Sequence, residues 1–294
     1  MANGIDISMW QGTNIDFNKV KASGIDYVII RGGYGRYASQ KDPTFEANYK
    51  KAKAAGLDVG VYWYSYAVTP AEAVQEASTC IAAIKGKSFE YPIYYDLEEQ
   101  SQFLTGKSNC SNIVTAFCNE LEAHGYFAGL YISRSPLQSY ITTEVASRYA
   151  LWVAEYGTRL NYSGSVGMWQ FTDRGSVNGI NGNVDRDTAY VDYPSIIKTK
   201  GYNGYKANTK VLDATGLKSG DQSPAVYNYK CLLRIAKQLG LVTANTDDHD
   251  LFGSGTVKGT NQLLKRYGYD ETGIAGTELI RKLTYDILAV ISNG

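Results

Sequence analysis

The chain has 294 residues, 44% of them hydrophobic, with 29 basic and 29 acidic side chains and no formal net charge. That length suits one large domain plus a small one, and the apolar content argues against disorder. Balanced charge with no Lys/Arg cluster argues against nucleic acid, and without an apolar run of about 18 residues no membrane insertion is expected.

Strand-like and helix-like segments alternate from the start. "NGIDIS" is short, β-branched and alternating, and "FNKVKAS" follows as a helix stopped by Gly24. "DYVIIRGG" is the next strand; "PTFEANYKKAKAAG" is a helix with Pro43 at its start and Gly56 at its end. "LDVGVYWYSYA" is a strand, and "TPAEAVQEASTCIAAIKG" a helix with Thr69 as cap, Pro70 at the first position and Glu72 completing a capping box. "YPIYYDLE", the helix "NCSNIVTAFCNELEAHG", the strand "FAGLYIS" and the helix "SPLQSYITTEVASRY" continue the rhythm.

Then the helices stop. "ALWVAEYG", "SVGMWQFTD" and "GNVDRDTAY" are strand-like, joined by Asn, Ser, Gly and Asp, which are turn residues. Eight strands and five helices predict an α/β fold, an irregular TIM-like barrel over residues 1–194 whose last strands lack helices. Residues 195–208, "SIIKTKGYNGYKAN", read as a linker. Residues 209–294 carry three helical patterns, one of them opened by Ser223 and Pro224, and predict a small all-α bundle. The first 194 residues hold 16 basic and 20 acidic side chains and the remainder 13 and 9, so the tail is mildly basic, as suits an anionic polymer.

None of Cys80, Cys110, Cys118 and Cys231 forms a CxxC pair and only two His are present, so no zinc site and no cofactor are expected. Buried free thiols are the expectation, with a Cys110–Cys118 disulfide as the alternative. The chain enters a strand at once, with no signal peptide ahead of it. The expectation is a protein made in a cytoplasm, or one whose export signal has been removed.

"YPIYYDLEEQ" ends an apolar run in acids. A strand sends alternate side chains to opposite faces, so Ile93, Tyr95 and Leu97 share one face and Tyr94, Asp96 and Glu98 the other. In a barrel the second face looks into the mouth, where barrel enzymes place their chemistry. The same alternation turns Asp6 inward from "GIDIS" and Asp185 with Asp187 inward from "NVDRD". First and eighth strands are neighbours in a closed barrel, so Asp6 and Asp185 converge, with Asp96 and Glu98 across the mouth. Crowded carboxylates raise one another's pKa, and a raised carboxyl is what a general acid needs at neutral pH. Glycoside hydrolysis uses that pairing of one proton donor with a second acid. Taken singly, each element has a plainer reading: a solvated strand end for the acid pair, an Asx turn or a Ca²⁺ loop for "NVDRD".

Aromatic residues border the same mouth. Tyr62, Tyr64 and Tyr66 share a face of "VGVYWYSY"; Tyr131, Trp152, Tyr156, Trp169 and Gln170 come from later strands. Sugar rings stack on aromatic faces and bond to polar tips. Core packing is the alternative for each ring, and for Trp63 and Trp169 the favoured one. Arg31, after the apolar run "VII", either points into the mouth and lowers a carboxylate's pKa or ends a strand in solvent.

In this order "GIDIS", "VGVYWY", "YYDLEE", "LWVAEYG", "MWQF" and "NVDRD" resemble the glycoside hydrolase family 25 lysozymes over about residues 3–192. The resemblance implies a muramidase that hydrolyses the β-1,4 bond between N-acetylmuramic acid and N-acetylglucosamine in bacterial peptidoglycan. By motif, Glu98 is similar to the general acid/base, Asp96 to the partner that stabilises charge on the substrate, and Asp6 and Asp185 to the remaining acids. Tyr62, Tyr64, Tyr131 and Trp152 match positions near the sugar. Two departures stand out: Trp63 replaces the His of many relatives, and Arg-Asp follows Asp185 in place of the commoner Leu-Asn, so the resemblance gives Asp187 no role. The tail is similar to the three-helix peptidoglycan-binding domain of cell-wall hydrolases, with Lys230 and Leu264 as departures. A catalytic and a wall-binding part without a signal peptide resemble a phage endolysin, released from the host cytoplasm to the wall; a bacterial autolysin or secreted lysozyme is the second reading. Two other classes remain open: a non-catalytic glycan-binding barrel, which would lack a proton donor, and an Asp-based Mg²⁺ or Ca²⁺ hydrolase.

Overall fold

The computed structural model describes residues 1–206, 212, 213 and 215–292. The chain divides into two compact units, Met1–Ala207 and Asn208–Gly294. In the first, β1 (Ala2–Ile7), β2 (Tyr27–Tyr34), β3 (Asp58–Tyr64), β4 (Ile93–Asp96), β5 (Ala128–Ser133), β6 (Ala150–Ala154), β7 (Met168–Gly175) and β8 (Val184–Ala189) close a barrel in chain order. Pairing is parallel from β1 through β7, whereas β8 runs antiparallel to both β7 and β1. The reversal follows from the short turn-rich link "SVNGINGN": with no crossover helix after β7, the chain returns as a hairpin.

The five predicted helices are present as α1 (Phe17–Ala22), α2 (Phe45–Ala54), α3 (Pro70–Ile84), α5 (Lys107–Ala123) and a fifth that splits into α6 (Arg134–Tyr140) and α7 (Thr143–Arg148). The break is local: Ile141 is extended, and the Thr142 side chain accepts from Val145 N and starts a new helix. Thr69 caps α3 as expected, with Pro70 in the first turn. Two further helices, α4 (Gln100–Phe103) and α8 (Tyr193–Lys200), complete the unit.

Strand alternation divides the core into two layers. Ile5, Ile7, Val28, Val59, Trp63, Ile93 and Tyr95 face outward and are sealed under the helices. Tyr27, Ile29, Tyr94, Trp152, Met168 and Ala189 fill the lumen. Large lumen rings demand glycine opposite: a Cβ at Gly4 would stand 2.1 Å from the Tyr27 ring, and one at Gly129 2.5 Å from Tyr94. Below them Tyr91 stacks on Tyr27 with ring centroids 4.1 Å apart, and Tyr193 packs against Tyr91, so the end where the strands start is plugged. Cys80, Cys110 and Cys118 are buried free thiols and Cys231 is a half-buried one.

The segment 195–208 departs from the linker reading. Residues 195–200 belong to α8, and Asn203 is fully buried in a left-handed conformation (φ 54°). Its Nδ2 donates to Tyr91 O at 2.8 Å, and its Oδ1 accepts from Phe127 N at 2.7 Å. Beyond it, the Tyr205 hydroxyl and Lys53 both bond Glu90. A composition rich in Gly, Asn and Lys hid these long-range bonds, which tie the segment to the barrel. Residues 207 and 208 lie outside those described.

The second unit holds α9 (Pro224–Gln238), α10 (Ser254–Arg266) and α11 (Thr277–Ser292). Ser223 caps α9, and Val226, Tyr229, Leu233, Leu263, Leu279 and Leu283 form its core. Lys230 is fully buried there, its ammonium bonded to the Asp247 carboxylate and to the carbonyls of His249 (2.7 Å) and Leu251 (3.0 Å). Residues 209–211, 214, 293 and 294 of the predicted bundle lie outside those described.

Candidate active site

Each acid reaches the barrel mouth by the alternation that buries its neighbours. Asp6 lies between the outward-facing Ile5 and Ile7, and in the β1–β8 pairing it stands directly opposite Asp185. Across the lumen, β4 ends at Asp96, flanked in register by Tyr64 of β3 and Tyr131 of β5. Glu98 follows two residues later, beyond the buried Leu97. A cleft of about 330 Å³ is lined by all four acids together with Arg31, Tyr62, Tyr64, Tyr131, Trp152 and Gln170. These ten residues border one cavity, as does Tyr156, whereas Tyr66 lines a neighbouring hollow and neither Trp169 nor Asp187 lines the cleft.

Burial and crowding set the charge state. Asp6 is 5% exposed and Asp96 3%, and burial pushes both carboxyls well above their ordinary range. Asp187 and Asp185 add to the rise at Asp6, and Glu98 adds to that at Asp96, while Arg31 pulls Asp96 back. Glu98 is open to the cleft on one side, yet the surrounding walls raise its carboxyl, with Asp185 adding and the Tyr131 hydroxyl opposing. Asp185 is raised by burial and eased by the Asp6 carboxyl that faces it across the strand pair. Each acid of the group therefore holds its proton more firmly than an isolated carboxyl does, and neighbouring acids titrate together.

A polar scaffold fixes the geometry. Gln170 Nε2 donates to Asp6 Oδ2 at 2.7 Å, while its Oε1 accepts from the hydroxyls of Tyr131 (2.9 Å) and Tyr156 (3.2 Å). Trp152 Nε1 donates to Asp187 Oδ1 at 2.9 Å. The Tyr64 hydroxyl donates to Glu99 at 2.8 Å. Arg31 is aimed by Asp42: its Nε donates to Asp42 Oδ2 at 2.8 Å, and Asp42 also accepts from Met9 N, Thr44 N and Thr44 Oγ1. Trp63 faces the helices, fully buried, and its Nε1 donates to Gly35 O.

Asp187 and Asp42 gained no role from the sequence, and Trp10 drew no notice. Asp187 is fully buried against Trp152; its phase in "NVDRD" was the available signal. Asp42 acts only through Arg31, from another segment, and no local pattern marks it. Trp10 lines the cleft while 80% exposed, and a tryptophan just past an inward Asp was the clue. Among the described residues no group of three or more His, Cys, Asp or Glu is arranged to hold a metal ion.

Residues 5–180 match the family described as glycosyl hydrolases family 25. The chain is 34% identical over 187 residues to the autolytic lysozyme of Clostridium acetobutylicum, an alignment covering 63% of this chain and 54% of that one. It thus spans just over half of that relative's length. Among solved structures it is similar to the modular autolysin LytC from Streptococcus pneumoniae (TM-score 0.58, 30% identity, 64% of this chain and 46% of that one). It also shares its fold with the CTP1L endolysin, at a TM-score of 0.60 and 21% identity over 98% of this chain and all of that one. Together with the closed barrel and the acids at its mouth, the match over residues 5–180 makes the chain a member of glycosyl hydrolase family 25.

Proposed function

We propose that this protein is an N-acetylmuramidase, a lysozyme that hydrolyses the β-1,4 bond between N-acetylmuramic acid and N-acetylglucosamine in bacterial peptidoglycan. The observation that carries the reading is the pairing of Glu98, raised in pKa and open to the cleft, with the buried Asp96 beside it. In the free enzyme the Glu98 charge strengthens the hold of Asp96 on its proton. A bound sugar brings a glycosidic oxygen, which only accepts, and an acetamido N–H, which donates. Glu98 against the oxygen keeps the proton and acts as general acid; Asp96 against the N–H is held as the anion, helped by Arg31. Protonation of the leaving oxygen lets the glycosidic C–O bond break while Asp96 stabilises charge on the substrate; a water oxygen then bonds the anomeric carbon as its proton passes to the Glu98 carboxylate. Asp6 and Asp185 position the sugar and tune the pair, and Tyr62, Tyr64, Tyr131, Trp152 and Gln170 form the walls.

The second unit, in this reading, holds the enzyme on the cell wall, and the protein is used as a phage endolysin, released to the wall from the cytoplasm in which it is made. The two-part build shared with the CTP1L endolysin supports that use. The identity to an autolytic lysozyme favours the alternative of a bacterial autolysin with the same chemistry. No helix among the described residues is long and apolar enough to cross a membrane. Digestion of purified peptidoglycan, with the new reducing ends identified, tests the activity: N-acetylmuramic acid ends are expected, and N-acetylglucosamine ends or none would overturn it.

A further inference from the structure

Beside the cleft lies a second hollow of about 200 Å³, bordered by Tyr66, Tyr37, Gln40 and the Arg36–Glu72 pair. One ring separates the two cavities: Tyr64 lines the cleft, Tyr66 lines the hollow, and their ring centroids are 5.2 Å apart. Tyr66 is 50% exposed and Tyr37 59%; the Arg36 guanidinium lies over the Tyr37 ring, 5.6 Å from its centroid, so one aromatic face of each ring is left for a ligand.

The platform is rigid. Tyr66 N donates to the buried carboxylate of Glu76 at 2.8 Å, and the same carboxylate accepts from Ser65 Oγ and the Tyr95 hydroxyl, each at 2.8 Å. Val68 N donates to Glu72 at 2.9 Å, fixing the other end of the turn. Tyr34 meets the Tyr66 ring edge-on at 6.1 Å. A ring held this way loses little freedom when a ligand covers it.

The chemistry of the walls selects the ligand. Arg36 is already neutralised by Glu72 at 2.7 Å, so the hollow offers no free charge to a peptide carboxylate. It offers donors from Arg36, an acceptor pair from Glu72, and two aromatic faces. Donors and acceptors interleaved around a stacking surface match a neutral, many-hydroxyl pyranose.

We propose that Tyr66, with Tyr37 and the Arg36–Glu72 pair, forms an additional sugar-binding subsite for an N-acetylhexosamine of the same glycan strand, beyond the ring on which cleavage occurs. The inference rests on the muramidase reading. It makes the enzyme favour long strands over short ones.

The test compares kcat/KM on peptide-free tetrasaccharide and octasaccharide fragments of alternating N-acetylmuramic acid and N-acetylglucosamine. The intact chain is expected to prefer the octasaccharide; Tyr66→Ala is expected to lower that preference about three- to tenfold, the range of an aromatic contact, and Tyr66→Phe to retain it. Equal preference in wild type and Tyr66→Ala overturns the subsite, as does a preference that appears only when the stem peptides are left on the strand. A wild-type enzyme that cleaves neither fragment nor whole peptidoglycan instead defeats the muramidase reading itself. Thermal unfolding of each variant separates loss of binding from loss of fold.

Discussion

Gln170 and Asp6 stand 164 positions apart in the chain, and their side chains meet at 2.7 Å inside the barrel. The same amide accepts from two tyrosine hydroxyls, so one side chain joins β7, β1, β5 and the loop after β6. Gln170→Leu removes the donor that lowers the Asp6 pKa and strands the Tyr131 hydroxyl. Leaving buried polar groups without partners costs about 1–3 kcal/mol. Denaturant unfolding is expected to show a loss of that size; an unshifted midpoint would mean that the bond contributes nothing.

Glu98 opens to the cleft and makes few packing contacts that an amide would lose. Glu98→Gln is therefore expected to leave the melting temperature near wild type and to lower kcat by about 10²–10⁴, the contribution of a positioned acid. Release of reducing ends from purified peptidoglycan reads the effect. Near wild-type turnover would remove Glu98 from the role of proton donor.

Asp187 links pH to stability. Burial raises its carboxyl well above the ordinary value of 3.8, so the folded chain holds this proton more tightly than the unfolded chain. Its contribution is fully present below the unfolded value and is lost as pH rises through the folded one. Asp187→Asn cannot ionise and still accepts from Trp152. The variant is expected to melt higher than wild type at pH 7, with the gain shrinking as pH falls toward the ordinary Asp range. A difference independent of pH would show that Asp187 is not held protonated.

The Asn203 bonds define where the barrel can be cut. A fragment of residues 1–194 loses most of α8 and the acceptor for Phe127 N, whereas one of residues 1–207 keeps both. The longer fragment is expected to fold and to cleave soluble glycan fragments, while lysing whole walls less well than the full chain. The shorter is expected to melt well below it or to be insoluble. Equal melting of the two fragments would deny the segment its structural part.

Lys230 ties the loop between α9 and α10 to the bundle. Lys230→Met keeps the volume but leaves two carbonyls and the exposed Asp247 carboxylate without their donor. Amide exchange at residues 245–252 is expected to speed up while exchange in the barrel strands is unaltered. Unchanged exchange in that loop would show that the lysine is a passive filler.

What the sequence disclosed was mostly what alternation governs. Period-two phase in "GIDIS", "YYDLE" and "NVDRD" was enough to gather Asp6, Asp96, Glu98 and Asp185, because closure of eight strands leaves a lumen-facing side chain nowhere else to go. Relationships that join segments without a local pattern stayed hidden. Asp42 aiming Arg31 and Asn203 serving two distant backbone groups are of that kind. The division of the fifth helix was also missed, because Ile141 fits a helical pattern and only the Thr142 cap reveals the break.

The seam where β8 returns beside β1 has a consequence for how the protein is made. Asp6 leaves the ribosome well before Asp185, and the strand that brings Asp185 against it emerges only after most of the barrel has been translated. Until that last hairpin docks, the cleft lacks a wall and Asp6 lacks its neighbour. A chain that ends before β8 thus lacks a closed barrel, and the cleft is completed only when that strand has docked.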